Sequence, residues 1–234
     1  MELYTGTSGW AYKEWKGPFY PETIKNEAML AFYAGRLPAV EVNNTFYRMP
    51  ERAAFTRWRD QVPAQFRFVL KASRRITHQN RLEGAGDALA YMLDGASALG
   101  ETLGAFLFQL PPFLRKDAPR LRGFLELLPA GTPAAFEFRH ASWFDDEIYG
   151  ALADRGACLC VAESGGDIDA PAVATTDWGY LRLRREDYDD DALAAWAARA
   201  RAQPWNRLFV FFKHEDAGAG PRLAARFQEI FRAG

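Results

Sequence analysis

The chain of 234 residues is long enough for one α/β barrel or for two smaller domains, and its 49% hydrophobic and 25% charged content is typical of a globular protein. A formal net charge of −1 lacks the basic excess of proteins that coat nucleic acid, although a local basic patch is compatible with it. No apolar run approaches the length of a membrane span, and the start lacks a signal-peptide pattern. We therefore predict a cytoplasmic protein with no membrane partner.

Apolar runs of strand length alternate with helix-like stretches along the whole chain. The predicted strands are Leu3–Thr7, Ala39–Asn43, Phe66–Lys71, Ala105–Gln109, Ala135–Arg139, Ala157–Glu163, a strand within Thr175–Arg184, and Leu208–Lys213. The predicted helices are Glu22–Gly35, Pro50–Trp58, Asp87–Leu103, Asp117–Leu128, Asp145–Arg155 (with Asp145 as its cap), Asp191–Gln203 and Pro221–Phe231. Eight strands interspersed with helical segments, and with no linker dividing them, predict an α/β fold with a single (β/α)8 TIM-type barrel domain over residues 1–234.

Six of the apolar runs end in a charged or amide residue, which a buried strand does not need for its own stability. The carboxyl ends of parallel barrel strands lie on one face of the barrel, so these ends are expected to form one site. Side-chain alternation along each strand then selects the residues that face inward. This inward set is Glu41, Lys71, Gln109, Glu137, Arg139, Glu163 and Arg182. By the same alternation Cys158 and Cys160 face outward, where they are expected to pack as core residues.

The three glutamates Glu41, Glu137 and Glu163 are the candidate catalytic residues. A carboxylate beside a cation stays ionised, whereas one in an apolar environment has a raised pKa and can donate a proton. Glu137 shares its strand face with Arg139, so it is the predicted base or nucleophile. Glu163 has no inward cation on its own strand, so it is the predicted general acid. The alternative is that all three glutamates only neutralise buried cations.

The candidate substrate-binding residues fall into three groups. Lys71, Arg139 and Arg182 would hold an anionic group, while Asn43 and Gln109 would orient hydroxyl groups. Aromatic residues in loops after strands would stack on a sugar or a base, or would instead form small cores within the loops. The residues of this third group, together with the histidine after strand eight, are Trp10, Tyr47, Trp143 and His214.

The histidines offer a possible metal site, because His78, His140 and His214 follow strands three, five and eight, and Glu215 and Asp216 lie beside the last. Their spacing matches no established metal motif, so we predict neither a metal nor a cofactor.

Several motifs of the chain together resemble the YecE-like family, which is catalogued as a domain of unknown function. The matching segments are Gly6-Thr7-Ser8-Gly9-Trp10-Ala11-Tyr12, Phe19-Tyr20-Pro21, Val40-Glu41-Val42-Asn43 with Thr45-Phe46-Tyr47 and Pro50, Phe68 with Lys71-Ala72, Ile76-Thr77-His78, Phe108-Gln109-Leu110-Pro111-Pro112, Phe136-Glu137-Phe138-Arg139-His140 with Ser142-Trp143, and Tyr180-Leu181-Arg182-Leu183. The resemblance covers essentially the whole chain. It implies a TIM-type barrel but brings no established reaction.

The chain departs from that family pattern at two places. Many members of the family that this chain resembles carry His-Gly where this chain has Arg184-Arg185. They carry a pair of asparagines where this chain has Lys213-His214. Both changes add positive charge at the expected mouth of the barrel.

The favoured functional hypothesis is a metal-independent enzyme that acts by glutamate acid/base chemistry on a small polar, anionic, sugar- or nucleotide-like substrate. Glycosidic hydrolysis fits two carboxylates best, with isomerisation or elimination behind it. The alternatives are a non-catalytic nucleic-acid-binding protein and a metal-dependent phosphodiesterase built on the histidines. The sequence does not indicate an oligomeric state.

Overall fold

Eight parallel strands close into a barrel in a computed structural model that describes residues 1–163, 170–185, 187–214 and 216–234. The strands, in chain order, are β1 (Glu2–Ser8), β2 (Ala39–Val42), β3 (Arg67–Lys71), β4 (Leu103–Gln109), β5 (Ala134–Glu137), β6 (Cys158–Glu163), β7 (Trp178–Leu183) and β8 (Arg207–Phe212). Each strand pairs with the next, and β1 pairs with β8 from Glu2 opposite Arg207 to Thr7 opposite Phe212. The predicted TIM-type (β/α)8 barrel is confirmed.

Helices cover the outside of the barrel. Within the described residues these are α1 (Met29–Ala34), α2 (Arg52–Arg59), α3 (Gly86–Ala96), α4 (Ala118–Leu127), α5 (Asp146–Asp154), α6 (Asp190–Arg201) and α7 (Ala219–Ala233). An aspartate caps α4, α5 and α6 by accepting a hydrogen bond from a backbone N–H of the first turn, as predicted for Asp145. None of the helices in these described parts is long and apolar enough to cross a membrane.

Two of the predicted helices were wrong in extent. The first helix is shorter than Glu22–Gly35, because only a short 3-10 turn over Asn26–Ala28 precedes α1. The third ends at Ala96 and continues as 3-10 turns over Ser97–Thr102, where Gly100 takes a φ of 55° that interrupts the helix. Residues 170–177, the described part of the segment between β6 and β7, contain no helix, and the rest of that segment lies outside the described residues.

The barrel interior is filled by the alternate residues of each strand. Large rings come from β7 and β8, while β5 and β6 contribute small side chains. The buried interior set is Ala39, Val69, Ala105, Leu107, Ala135, Cys158, Cys160, Ala162, Trp178, Tyr180, Phe209 and Phe211. Both cysteines are therefore buried inside the barrel, and the prediction that they face outward was wrong.

The side chains of the other strand face pack under the helices, among them Val42, Leu70, Phe108, Phe136 and Leu181. On α7, Leu223, Ala224 and Phe227 form the buried side. The result is one layer of apolar packing inside the barrel and another around it, which leaves the strand ends to carry the polar residues.

Candidate functional site

Arg182 of β7 forms the centre of a polar network at the carboxyl end of the barrel. Its side chain is 3% exposed. The Nε and Nη2 atoms donate to the two carboxylate oxygens of Glu41 at 2.9 and 2.7 Å, and Nη1 donates to Oε2 of Glu137 at 2.5 Å. One guanidinium therefore holds two carboxylates that come from opposite parts of the barrel wall.

The remaining bonds of Glu41 come from Ser8 of the adjacent strand β1 and from Tyr180 of β7, which is not adjacent to β2. Ser8 donates its hydroxyl to Oε1 of Glu41 at 2.7 Å, and Tyr180 donates its hydroxyl to Oε2 at the same distance. The register places Ser8 directly opposite Glu41 on paired strands. Burial raises the pKa of Glu41, but the charge of Arg182 and these hydrogen bonds outweigh it, so that the net pKa lies below its ordinary value.

Glu137 is held by three cations. Besides Arg182, Arg139 donates from Nε to Oε1 at 2.6 Å, and Arg184 donates from Nη2 to the same oxygen at 3.3 Å. Burial raises the pKa of Glu137, but the charges of Arg182, Arg139 and Arg184 lower it by more, so that the net pKa is about 2. Both glutamates are completely buried and both are ionised at neutral pH.

A cavity of about 470 Å³ opens above this network. Its lining residues are Tyr12, Asn43, Asn44, Tyr47, Lys71, Gln109, Arg139, Arg182, Arg184 and Lys213. Five of them are cationic, none of the lining residues is acidic, and the two carboxylates beneath are already bonded. We call this cavity the mouth cavity. Its lining, in the described part of the chain, therefore presents an excess of positive charge to any ligand.

Lys71 differs from the arginines because its charge is easily lost. Burial and the nearby Arg182 charge lower its pKa, the carboxylates of Glu41 and Glu137 raise it and Arg139 lowers it, with a net pKa of about 8. Its Nζ lies 4.4 Å from the ring centroid of Phe46. Lys71 can therefore both bind an anion and exchange a proton near neutral pH.

Eight of the predicted site residues do come together. Glu41 and Glu137 form the floor, and the other six line the mouth cavity: Asn43, Tyr47, Lys71, Gln109, Arg139 and Arg182. The prediction that polar strand ends share one face of the barrel is confirmed for Glu41, Lys71, Gln109, Glu137, Arg139 and Arg182.

Glu163 is not among them, and the prediction that it faces the mouth was wrong. It shares the outward face of β6 with Val161, whereas Cys160 and Ala162 face inward. Its carboxylate accepts hydrogen bonds from the Tyr188 hydroxyl at 2.5 Å and from the indole N–H of Trp196 at 3.0 Å. Trp196 belongs to α6 outside the barrel, and Tyr188 lies in the segment that leads into that helix.

Two more predicted binding residues lie away from the mouth cavity. Trp143 is completely buried and stacks on Phe138 with ring centroids 4.7 Å apart, so it belongs to the core. His214 lies with Nε2 2.6 Å from the backbone oxygen of Arg185 and does not line the mouth cavity. Trp143 thus fits the alternative of a small core within the loops, and the binding role of His214 stays a prediction.

Trp10 has an intermediate position. It lines a smaller cavity of about 170 Å³ that adjoins the mouth cavity, and its ring makes an edge contact with Trp58 at 5.2 Å.

Four residues of the site were not among the predicted catalytic or binding residues, although Arg184 and Lys213 were expected to add positive charge at the mouth. Ser8 and Tyr180 bond Glu41, Arg184 bonds Glu137, and Lys213 lines the mouth cavity. Alternation along β7 already places Tyr180 and Arg184 on the face of Arg182. That signal was sufficient to include both of them.

The histidines do not gather into a metal site. No group of three or more His, Cys, Asp or Glu side chains suited to a metal occurs among the described residues, which exclude Glu215. His78 bonds the hydroxyl of Thr77 through Nδ1 at 2.9 Å, and His140 bonds Ser142 through Nδ1 at 2.8 Å.

Comparison with known proteins places the whole barrel in a family. Residues 4–234 match the family model described as "Protein of unknown function DUF72". The chain belongs to the DUF72 family. The family resemblance predicted from the motifs is thereby confirmed.

This DUF72 chain is similar to UPF0759 protein YecE of Escherichia coli strain K12, with 31% identity over 143 residues that make up 61% of the chain and 50% of that protein. It is also similar to UPF0759 protein YunF of Bacillus subtilis strain 168, with 26% identity over 155 residues, 63% of the chain and 54% of that protein. The matched part thus spans about half the length of these curated relatives.

Two crystal structures of DUF72 family proteins share the fold. The protein from Thermotoga maritima MSB8 superposes with a TM-score of 0.84 at 24% identity, covering 99% of this DUF72 chain and 100% of the other. The protein from Enterococcus faecalis V583 gives a TM-score of 0.83 at 19% identity, covering 98% and 95%. At these identities the likeness establishes the barrel fold.

Proposed function

We propose that this protein is an enzyme that binds a small polar anion in the mouth cavity and transfers a proton through Lys71. The observation that carries the proposal is the charge arrangement: cations line the cavity, and the carboxylates that would otherwise neutralise them are bonded beneath it. A ligand phosphate or carboxylate would meet arginine forks already oriented by Glu41 and Glu137.

The ionised state of the two glutamates revises the chemistry expected from the sequence. With pKa values below their ordinary range, neither Glu41 nor Glu137 holds a proton at neutral pH. Glycosidic hydrolysis by two carboxyl groups needs one of them protonated as the general acid. Reactions that begin with proton abstraction, such as isomerisation or elimination, are therefore the favoured classes.

Lys71 has the properties that this chemistry needs. An amine with a pKa of about 8 has both its neutral and its charged form available near physiological pH. The surrounding cations would stabilise negative charge that develops on the substrate after proton abstraction. Glu41 and Glu137 act in this proposal as positioning residues, because they hold the arginines rather than touching the reacting atoms.

Binding of small anions tests the first half of the proposal. Calorimetric titration with ribose 5-phosphate, inorganic phosphate and ribose should show binding of the two anions and none of ribose. Arg184→Met and Lys213→Met should each weaken anion binding by at least about fivefold, since each removes one charged contact. Arg207→Met is the matched control, because Arg207 lies at the opposite end of the barrel and pairs with Glu2.

Proton exchange tests the second half. Sugar phosphates incubated with the protein in D2O should exchange a carbon-bound hydrogen or isomerise, and proton NMR measures either change. Lys71→Met should lose this activity while still binding the anion. Absence of anion binding by the unaltered protein would overturn the proposal. Binding of a single-stranded oligonucleotide without binding of small anions would instead support the hypothesis of a nucleic-acid-binding protein.

A further inference from the structure

A second cavity of about 170 Å³ adjoins the mouth cavity and has a different character. The two share Tyr12, Asn43 and Asn44 as common walls. The remaining lining of the smaller cavity is Ser8, Gly9, Trp10, Ala11 and Val42, and no charged residue is among these described neighbours. We call it the side cavity. A ligand that extends from one cavity into the other would pass from a cationic to an uncharged environment.

The walls of the side cavity are fixed in place. The Tyr12 hydroxyl donates to the backbone oxygen of Ser8 at 2.5 Å, and the Tyr20 hydroxyl donates to the backbone oxygen of Trp10 at 2.5 Å. The Trp10 ring also rests edge-on against Trp58. Aromatic walls held in this way lose little conformational entropy when a flat group packs on them.

A buried acceptor lies where the cavities meet. The Oδ1 atom of Asn43 is buried and accepts no hydrogen bond from any described residue. On the mouth side, the Nε atom of Arg184 is likewise buried and donates to none of the described residues. Buried polar atoms of this kind normally have partners, so a ligand that offers a donor to Asn43 and an acceptor to Arg184 would complete both.

We propose that the side cavity binds an uncharged unsaturated ring of the same substrate whose anionic group lies in the mouth cavity. This inference rests on the proposed function and names its substrate class. The ligand is a heteroaromatic ring with an N–H or O–H donor, joined by a short spacer to a phosphate, as in a nucleoside monophosphate.

A sugar ring fits the side cavity less well than an unsaturated ring. A sugar brings several hydroxyl groups, each of which needs a partner when buried. The hydroxyls of Ser8 and Tyr12 already donate to Glu41 and to the Ser8 backbone. The Oδ1 atom of Asn43 is the buried acceptor left over among the described lining residues, which matches one ring donor and not a set of hydroxyls.

Calorimetric titration of the whole chain with uridine 5′-monophosphate and with ribose 5-phosphate tests the inference. The two ligands share the phosphate and differ by the ring. The unaltered protein should bind the nucleotide about tenfold more tightly, the gain expected for stacking of one base on aromatic side chains. Trp10→Leu should reduce this ratio to below about threefold and should leave the affinity for ribose 5-phosphate unchanged.

Two further variants serve as an independent test and as a control. Ala11→Phe fills the side cavity from an exposed position and should abolish the same preference even if loss of the Trp10 ring disturbs folding. Trp196→Leu removes an indole that lies outside the barrel beside Glu163, and it should leave the preference intact.

The outcomes separate the two proposals. Equal affinity of the unaltered protein for both ligands would overturn the ring assignment while leaving anion binding in place. A preference for the nucleotide that survives both Trp10→Leu and Ala11→Phe would overturn the assignment of the ring to the side cavity. If neither phosphate binds, the proposed function itself fails, and this inference with it.

Discussion

Replacing Arg182 by methionine should destabilise the protein severely, because it leaves two buried carboxylates without their shared cation. Removal of one partner from a buried ion pair typically costs about 3–5 kcal/mol. Here a single guanidinium makes three hydrogen bonds, two to Glu41 and one to Glu137. We therefore expect Arg182→Met to lower the free energy of unfolding at neutral pH by about 5 kcal/mol or more.

The pH dependence of unfolding carries the sharper prediction. The pKa of Glu137 is about 2 in the folded protein against an ordinary 4.5, which corresponds to roughly 3 kcal/mol in favour of the folded state above pH 4.5. This stability is lost as the pH falls from about 4.5 to 2, because the unfolded chain then binds more protons.

In Arg182→Met the pH dependence of stability should reverse. Without Arg182, burial should raise the pKa of Glu41 above its ordinary value, so the folded state binds this proton before the unfolded chain does. Glu137 keeps Arg139 and Arg184 as partners. The variant should then become less stable as the pH rises from about 5 to 8, whereas the unaltered protein should change little over that range.

Urea unfolding followed by tryptophan fluorescence at several pH values measures both effects. Arg207→Met is the control, since its surface pair with Glu2 at 3.3 Å should contribute less than about 1 kcal/mol. If Arg182→Met is too unstable to purify, Arg182→Met with Glu41→Gln should recover part of the loss by removing the buried carboxylate that has lost its bonded cation. A loss below about 1 kcal/mol with no reversal of the pH trend would refute the reasoning.

Two further predictions follow from the placement of Lys71 and Glu163. Anion binding beside Lys71 should raise its pKa from about 8, so binding near pH 8 should take up a fraction of a proton, and affinity should fall as the pH rises through that value. Calorimetry in buffers of different ionisation enthalpy measures the uptake, which Lys71→Met should abolish; zero uptake in the unaltered protein would contradict the assignment. Glu163→Gln should change anion affinity by less than about twofold and lower the free energy of unfolding by about 1 kcal/mol, because its hydrogen bonds lie outside the barrel. A tenfold loss of anion affinity in that variant would place Glu163 in the site after all.

The features that depended on one strand at a time were readable from the sequence. Alternation of inward and outward residues correctly oriented β2, β3, β4, β5 and β7, and the shared direction of parallel strands brought their polar ends to one face. That is enough to assemble the floor and most of the mouth cavity without coordinates.

The orientation of β6 was not readable, because it depends on the volume that neighbouring strands leave inside the barrel. Cys160 lies opposite Tyr180, and Ala162 lies opposite Arg182. Small residues must face inward there to make room for those large side chains, so Glu163 is turned outward. The sequence of β6 taken alone is compatible with Glu163 facing either into the barrel or outward.

The charge states of the site also required the structure. Along the sequence, Glu137 is close only to Arg139, whereas the larger effects on its pKa come from burial and from Arg182 on another strand. The low pKa of Lys71 likewise reflects burial and a cation from across the barrel. Distances between strands of this kind are set by barrel closure, which pairwise spacing along a chain does not encode.

The two-level construction of the site has a consequence for how such a barrel can change during evolution. Lys213 is exposed, and Arg184 makes a single 3.3 Å contact with Glu137, so either can be exchanged with little effect on folding. Arg182 cannot be exchanged alone, because two buried carboxylates depend on it. New ligand preferences can therefore arise by single substitutions around the rim, while the floor is inherited as one unit.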